Sequence, residues 1–188
     1  GVKILLKNNI SLIYGNGLNG FNYKKNILIN AGNSGTFARL LLGLLIKCPY
    51  EIKIVGDPSL SKRDFLRIIS PLEKFGAQFK YKNKGKLPLK ILGSKFLKPI
   101  NYFEKRGSAQ CKSSVILAAL NTPGKTIINA KKSRDHTELL LKHLNLPIKV
   151  IHKSDYDVIE VTGEKQFKSF NYTIPGDISS SAFFIVLT

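Results

Sequence analysis

Short apolar runs recur along this chain, separated by loops of small and polar residues. Their lengths and their β-branched and aromatic content predict strands at Lys3–Leu6, Ile10–Tyr14, Asn26–Asn30, Glu51–Val55, Leu87–Leu92, Lys125–Asn129, Ile148–Ile151, Val158–Val161 and Tyr172–Ile174. Five helices are expected among them. Thr36–Lys47 is apolar nearly all round, which predicts a buried helix. Asp64–Phe75 contains Ser70-Pro71-Leu72-Glu73, a capping box with proline at its first helical position. A kink or restart is expected there, with a stop at Gly76. Lys112–Leu120 ends before the turn Asn121-Thr122-Pro123-Gly124. Asp135–Leu144 opens with Asp135 and Glu138 at capping-box spacing and ends before Pro147, and a last helix is expected from Ser179 onward. Strands and helices thus alternate as in an α/β fold. No strand leads into GxGxxG, and no GxxxxGK[ST] is present, so the pattern is that of repeated βα units and not of a dinucleotide or P-loop fold.

Composition narrows the class. With 188 residues, 43% of them hydrophobic, the chain can bury a core of one domain or one domain plus part of another. The longest apolar runs, Leu40 to Ile46 and Val115 to Leu120, fall far short of the roughly 20 residues that cross a bilayer. The expectation is a soluble, cytoplasmic protein with no membrane partner. Cys48 and Cys111 have no CxxC spacing and are expected to be half-buried structural thiols in a reducing compartment. His136, His143 and His152 stand in no metal-ligand pattern and are expected on the surface, so no metal or other cofactor is implied. The formal charge of +18 suits nucleic acid, an anionic surface or anionic small substrates. The lysines are scattered, without an RNP-like aromatic motif or a Cys/His finger, so nucleic acid is the secondary reading and not the expected partner. The chain contains no methionine, begins at Gly1 and stops within the apolar stretch Ala182 to Leu187, from which an internal fragment is expected.

Four loops carry the candidate chemistry. They are Asn33-Ser34-Gly35-Thr36 with Arg39, Asp57 to Arg63, Arg106-Gly107-Ser108-Ala109-Gln110 with Lys112, and Ser133-Arg134-Asp135. Each brings hydroxyls, amides and a cation to a predicted helix N-terminus, where free N–H groups and the helix dipole favour an anion. Arginine adds a fork that matches phosphate or carboxylate. Ser, Thr, Asn and Asp also serve as ordinary helix caps, and any single loop read alone is a cap. Arg39 is the one charge in its helix before Lys47, and a buried arginine needs a partner. A structural carboxylate is expected. Repetition of cation-bearing loops points to a polyanionic small substrate.

As whole strings, five segments resemble the EPSP synthase family. They are Asn30 to Thr36, Gly56 to Arg63, Gly107 to Gly124, Ser133 to Glu138, and Ile174 to Phe184. Their order and spacing match across essentially the whole chain. The resemblance implies an enolpyruvyl-transferase-like inside-out α/β barrel built from βαβαββ units, present here as one lobe (residues 1–173) plus a hinge and the start of the second (174–188). It implies transfer of the enolpyruvyl group of phosphoenolpyruvate to the 5-hydroxyl of shikimate 3-phosphate, by a complete enzyme expected to be a monomer. Carried over by position, Gly35, Arg63 and Gln110 would bind phosphoenolpyruvate. Ser108, Ala109, Gln110, Ser133 and Arg134 would bind shikimate 3-phosphate, and Asn33 and Thr36 would support the turn. Departures are mild: Asp64 follows Arg63 where the family usually has proline, and Cys111 replaces valine. Gly35 implies a glyphosate-sensitive enzyme. No acid in the chain has an evident claim to proton transfer, so no catalytic residue is expected here and the chain alone is expected to be inactive. The sister transferase acting on UDP-N-acetylglucosamine is the nearest rival, but its cysteine-bearing loop is not recognisable.

Overall fold

The computed structural model describes residues 2–18, 20–166, 168–176, 181–182 and 185–186. It begins with a hairpin, β1 (Lys3–Lys7) and β2 (Ile10–Tyr14), paired antiparallel with Lys7 opposite Ile10. The two-residue turn is Asn8-Asn9, both at positive φ, and asparagine tolerates that left-handed conformation well. Two four-stranded sheets follow.

The first unit runs β3 (Leu28–Asn30), α1 (Gly35–Leu44), β4 (Ile52–Val55), the one-turn helix α2 (Pro58–Ser61), α3 (Leu66–Phe75), β5 (Gln78–Lys82) and β6 (Lys86–Leu92). The second runs β7 (Asn101–Glu104), α4 (Ala109–Leu120), β8 (Lys125–Lys131), α5 (His136–His143), β9 (Ile148–His152) and β10 (Tyr156–Thr162). The sheet orders are β3-β4-β6-β5 and β7-β8-β10-β9. In both, the first two strands are parallel and the remaining pairs antiparallel. This is one βαβαββ topology used twice, the repeat that the resemblance implies.

The units meet helix to helix. A Cβ on Gly43 of α1 would lie 2.2 Å from the carbonyl oxygen of Ser114 in α4, so only glycine permits this approach. Ser114 Oγ donates to the Arg39 carbonyl across the same contact (2.8 Å). Around it lies the shared core, with Ala38, Leu42, Ile46, Ile68, Leu72, Phe65, Phe75, Val115 and Ile116 all buried.

Several expectations need correction. The segment Tyr172–Ile174 is not a strand. Pro71 neither breaks nor restarts α3, which starts earlier, at Leu66, and runs through it to a left-handed Gly76 (φ +119°). The Ser70 hydroxyl therefore caps nothing: the helix is already under way, and Pro71 sacrifices one main-chain bond inside it. α1 turns into a 3-10 segment at Leu45–Lys47, and Phe37 and Thr36 on its first turn are exposed, so it is buried along one side only. Asp135 makes no capping bond through its side chain, and Glu138 points inward instead of back to the cap. β5, β7 and α2 were not expected. The helix from Ser179 lies largely outside the described residues. Both cysteines are free and fully buried. The three histidines are exposed as expected. Among the described residues no helix is long and apolar enough to cross a membrane.

Candidate functional site

Duplication of the unit explains why four anion-suited loops exist and why they converge. In each unit one such loop follows the first strand and another follows the second. Because those two strands are parallel, both loops leave the same sheet edge. The α1–α4 contact then brings the edges of the two units together.

In the first unit, Ser34 caps α1 through its hydroxyl, which accepts from the Phe37 amide (3.1 Å). Gly35 is buried as the first helical residue. Asp57 caps α2 by accepting from the Leu60 amide (2.7 Å), and its other oxygen accepts from Asn33 Nδ2 (2.6 Å). Asn33 in turn accepts from Arg63 Nη2 (3.1 Å). A carboxylate thus orients an amide that orients a guanidinium, while Arg63 makes no ion pair among the described residues. Its charge remains available to a ligand.

In the second unit, Ser108 is the N-cap of α4, and its Oγ accepts from the Cys111 amide (3.3 Å). Its hydroxyl hydrogen is left to donate outward. Gln110, the second residue of α4, bridges the units: its Oε1 accepts from Arg39 Nη1 (2.6 Å) and its Nε2 donates to Thr36 Oγ1 (2.7 Å). Gly107, Ser108, Ala109, Gln110, Ser133 and Arg134 line a recess of about 460 Å³. A smaller adjoining one, about 180 Å³, is lined by Thr36, Ala109, Gln110, Arg134 and Thr137 among others. Arg134 is exposed and unpaired among the described residues, and the buried Ser133 Oγ has no hydrogen-bond partner.

Two cations differ from expectation. Arg39 has no carboxylate partner among the described residues. It is half-buried, bonded to the Gln110 amide and stacked over the Phe65 ring at 5.3 Å. Burial, with Arg63 and Arg67 nearby, lowers its pKa below the ordinary arginine value. Lys112 was expected to offer its charge to an anion from the α4 N-terminus. It is instead buried and paired with Glu138 of α5 at 2.5 Å. Its methylene stem and head lie inside the interface, so it is unavailable to a ligand.

All nine sequence-predicted residues lie on these four loops or the helix turns they open. Those the structure brings into one recess are Ser108, Ala109, Gln110, Ser133 and Arg134, with Thr36 beside it. Gly35, Asn33 and Arg63 form a second group, joined to the first through Thr36, Arg39 and Gln110. A Cβ on Gly35 would stand 2.9 Å from Arg63 Nη1 and 3.1 Å from Arg39 Nη1, so two guanidinium groups converge on this glycine. The contribution of Arg39 was missed as a partner of Gln110. Its isolation within an apolar helix was the available signal.

The fold and the recess define a duplicated βαβαββ protein in which Arg134 and the N-terminal turn of α4 line one anion-suited recess, and Gln110 links it to the Gly35–Arg63 group. Among known proteins, the family model of EPSP synthase (3-phosphoshikimate 1-carboxyvinyltransferase) matches residues 1–188, and the chain belongs to that family. It is 45% identical over 186 residues to the 3-phosphoshikimate 1-carboxyvinyltransferase of Caldicellulosiruptor bescii, covering 98% of this chain and 42% of that protein. It is 44% identical over 188 residues to that of Vesicomyosocius okutanii, covering 99% and 42%. The solved structure of EPSP synthase from Acinetobacter baumannii superposes with a TM-score of 0.86 at 37% identity, over 99% of this chain and 41% of that one. The chain therefore spans about two fifths of the length of the curated relatives it matches.

Proposed function

We propose that the protein containing this chain transfers the enolpyruvyl group of phosphoenolpyruvate to the 5-hydroxyl of shikimate 3-phosphate, releasing phosphate. The observation that carries the reading is the bridging of two anion-suited groups of residues by Gln110 in a chain of this family. Arg63, oriented by Asn33 and Asp57, would hold phosphoenolpyruvate beside the Gly35 turn. Ser108, Ala109, Gln110, Ser133 and Arg134 would hold shikimate 3-phosphate, with Gln110 between the two substrates and in contact with phosphoenolpyruvate as well. Residues 1–173 would form most of one lobe and 174–188 the crossing to a second.

The chain's role is binding and orientation. Transfer needs a base for the acceptor hydroxyl and an acid for the methylene carbon. Among the described residues no carboxylate lines either recess, and the buried Glu104 and Glu138 are committed to interior partners. Proton transfer therefore falls to residues elsewhere in the complete enzyme, and these loops supply proximity and charge complementarity. The full-length protein should release phosphate from phosphoenolpyruvate with shikimate 3-phosphate and not with UDP-N-acetylglucosamine, while the 188-residue chain alone gives no turnover. Release with the sugar nucleotide, or with neither acceptor, overturns the proposal.

The crowding at Gly35 yields a second expectation. In Gly35→Ala the new methyl displaces the ends of Arg39 and Arg63, so KM for phosphoenolpyruvate should rise by about tenfold or more, one charge-assisted bond's worth. Inhibition by glyphosate, expected for the parent protein, should weaken with it. Steady-state kinetics check both, and an unchanged KM places the donor elsewhere.

A further inference from the structure

Glu104 lies at the end of β7, 3% exposed, outside both recesses. Both of its carboxylate oxygens are committed. Oε1 accepts from the Arg106 amide (3.2 Å), and Oε2 accepts from the Ser108 amide (2.9 Å). Arg67 of α3 places Nη2 3.6 Å from Oε1. A carboxylate this deeply buried is tolerated only when its charge is met by donors. Here the donors are the main chain of the very loop that ends in Ser108.

The consequence is local and directional. Between Glu104 and Ser108 the chain reverses through Gly107 at φ +67°, a turn with several alternative conformations available to a glycine. The two amide bonds select one of them. Ser108 then starts α4, and Gln110 follows within its first turn. Arg67 belongs to the first unit and Glu104 to the second, so the pair also spans the junction that Gln110 bridges nearer the recess.

We infer that Glu104 is a positioning residue that sets the Ser108–Gln110 loop for shikimate 3-phosphate, a role that rests on the site reading above. It touches neither substrate. It places one negative charge behind the phosphate-binding loop, which by charge alone would repel a phosphorylated ligand; its value lies in the two amide bonds. Charge and geometry therefore make opposite predictions for Glu104→Gln. That variant removes the repulsive charge, but its amide group can accept from only one of the two main-chain N–H groups.

The test measures KM for each substrate in the full-length protein carrying Glu104→Gln, Glu104→Ala or Arg134→Ala, with thermal midpoints recorded in parallel. Expected is a rise in KM for shikimate 3-phosphate of roughly 10- to 100-fold in Glu104→Ala, the worth of one or two bonds to a charged group. The rise should be smaller in Glu104→Gln, and in both variants KM for phosphoenolpyruvate, which meets this loop through Gln110 alone, should rise several-fold less than KM for shikimate 3-phosphate. The near-isosteric Gln variant carries the test if the Ala variant fails to fold. A lower KM for shikimate 3-phosphate in Glu104→Gln, or equal shifts for both substrates, overturns the inference while Arg134→Ala still impairs acceptor binding. If Arg134→Ala also leaves KM for shikimate 3-phosphate unchanged, the site reading fails and this role fails with it.

Discussion

Replacing Glu138 by alanine is expected to destabilise the fold by about 3–5 kcal/mol, a large share of the stability of a domain this size. Lys112 Nζ lies 2.5 Å from Glu138 Oε1, with side-chain exposures of 1% and 4%. Apart from this pair, neither Lys112 Nζ nor Glu138 Oε2 has a hydrogen-bond partner. Removing the carboxylate strands an ammonium group in an interior that cannot solvate it. The neighbouring Ser113–Thr137 hydroxyl bond (2.7 Å) belongs to the same α4–α5 contact and would be disturbed with it. The pair itself need not be stabilising. Desolvation of two ions offsets much of their attraction, so Lys112→Met combined with Glu138→Leu should recover most of the loss and can exceed the parent. Urea denaturation of the three proteins checks this. A loss below about 1 kcal/mol in Glu138→Ala would mean that water reaches Lys112 readily and that the contact is not dry.

Arg134→Ala should behave in the opposite way. Arg134 is exposed, makes no ion pair among the described residues and lines both recesses, so the folded state loses little without it. Its stability should stay within about 0.5 kcal/mol of the parent. Affinity for shikimate 3-phosphate should fall roughly 10- to 100-fold, because a charge-assisted bond to phosphate contributes about 1.5–3 kcal/mol. Affinity for phosphoenolpyruvate should change far less. Calorimetric titration of the full-length protein with each substrate separates the two. Equal losses would show that Arg134 lies between the substrates, as Gln110 does in the proposed arrangement, and not at the acceptor end.

These two residues lie four positions apart, and their sequence contexts gave different degrees of warning. Arg134 sits in a polar loop before a helix, and its chemistry was legible because a loop's exposure follows from its composition. Glu138 looked like the second half of a capping box. Only the approach of α4 turned it inward, since the partner lysine is 26 positions away along the chain.

Strand assignment divides on similar lines. β4, β6, β8 and β10 were anticipated because central strands bury continuous or alternating apolar side chains, and that burial is written in composition. β5 and β7 were missed; both are edge strands, as are β3 and β9, which their Ile- and Val-rich runs made legible. Gln78-Phe79-Lys80-Tyr81-Lys82 and Asn101-Tyr102-Phe103-Glu104 bury little apolar surface, and they are strands because a neighbour supplies hydrogen bonds. Tyr172–Ile174 shows the converse: strand-forming residues without a strand beside them remain irregular.

By itself, the sequence determined the α/β alternation, the turns, and the four loops able to greet an anion, because capping residues, glycines and cations act over a few neighbouring positions. The tertiary structure decided which of those charges remain free. Burial and pairing consumed Lys112, tied Arg39 to an amide and left Arg63 and Arg134 without ion-pair partners among the described residues. Such choices depend on groups that meet only when two units dock through Gly43 and Ser114, and contacts between distant segments leave no local trace in composition.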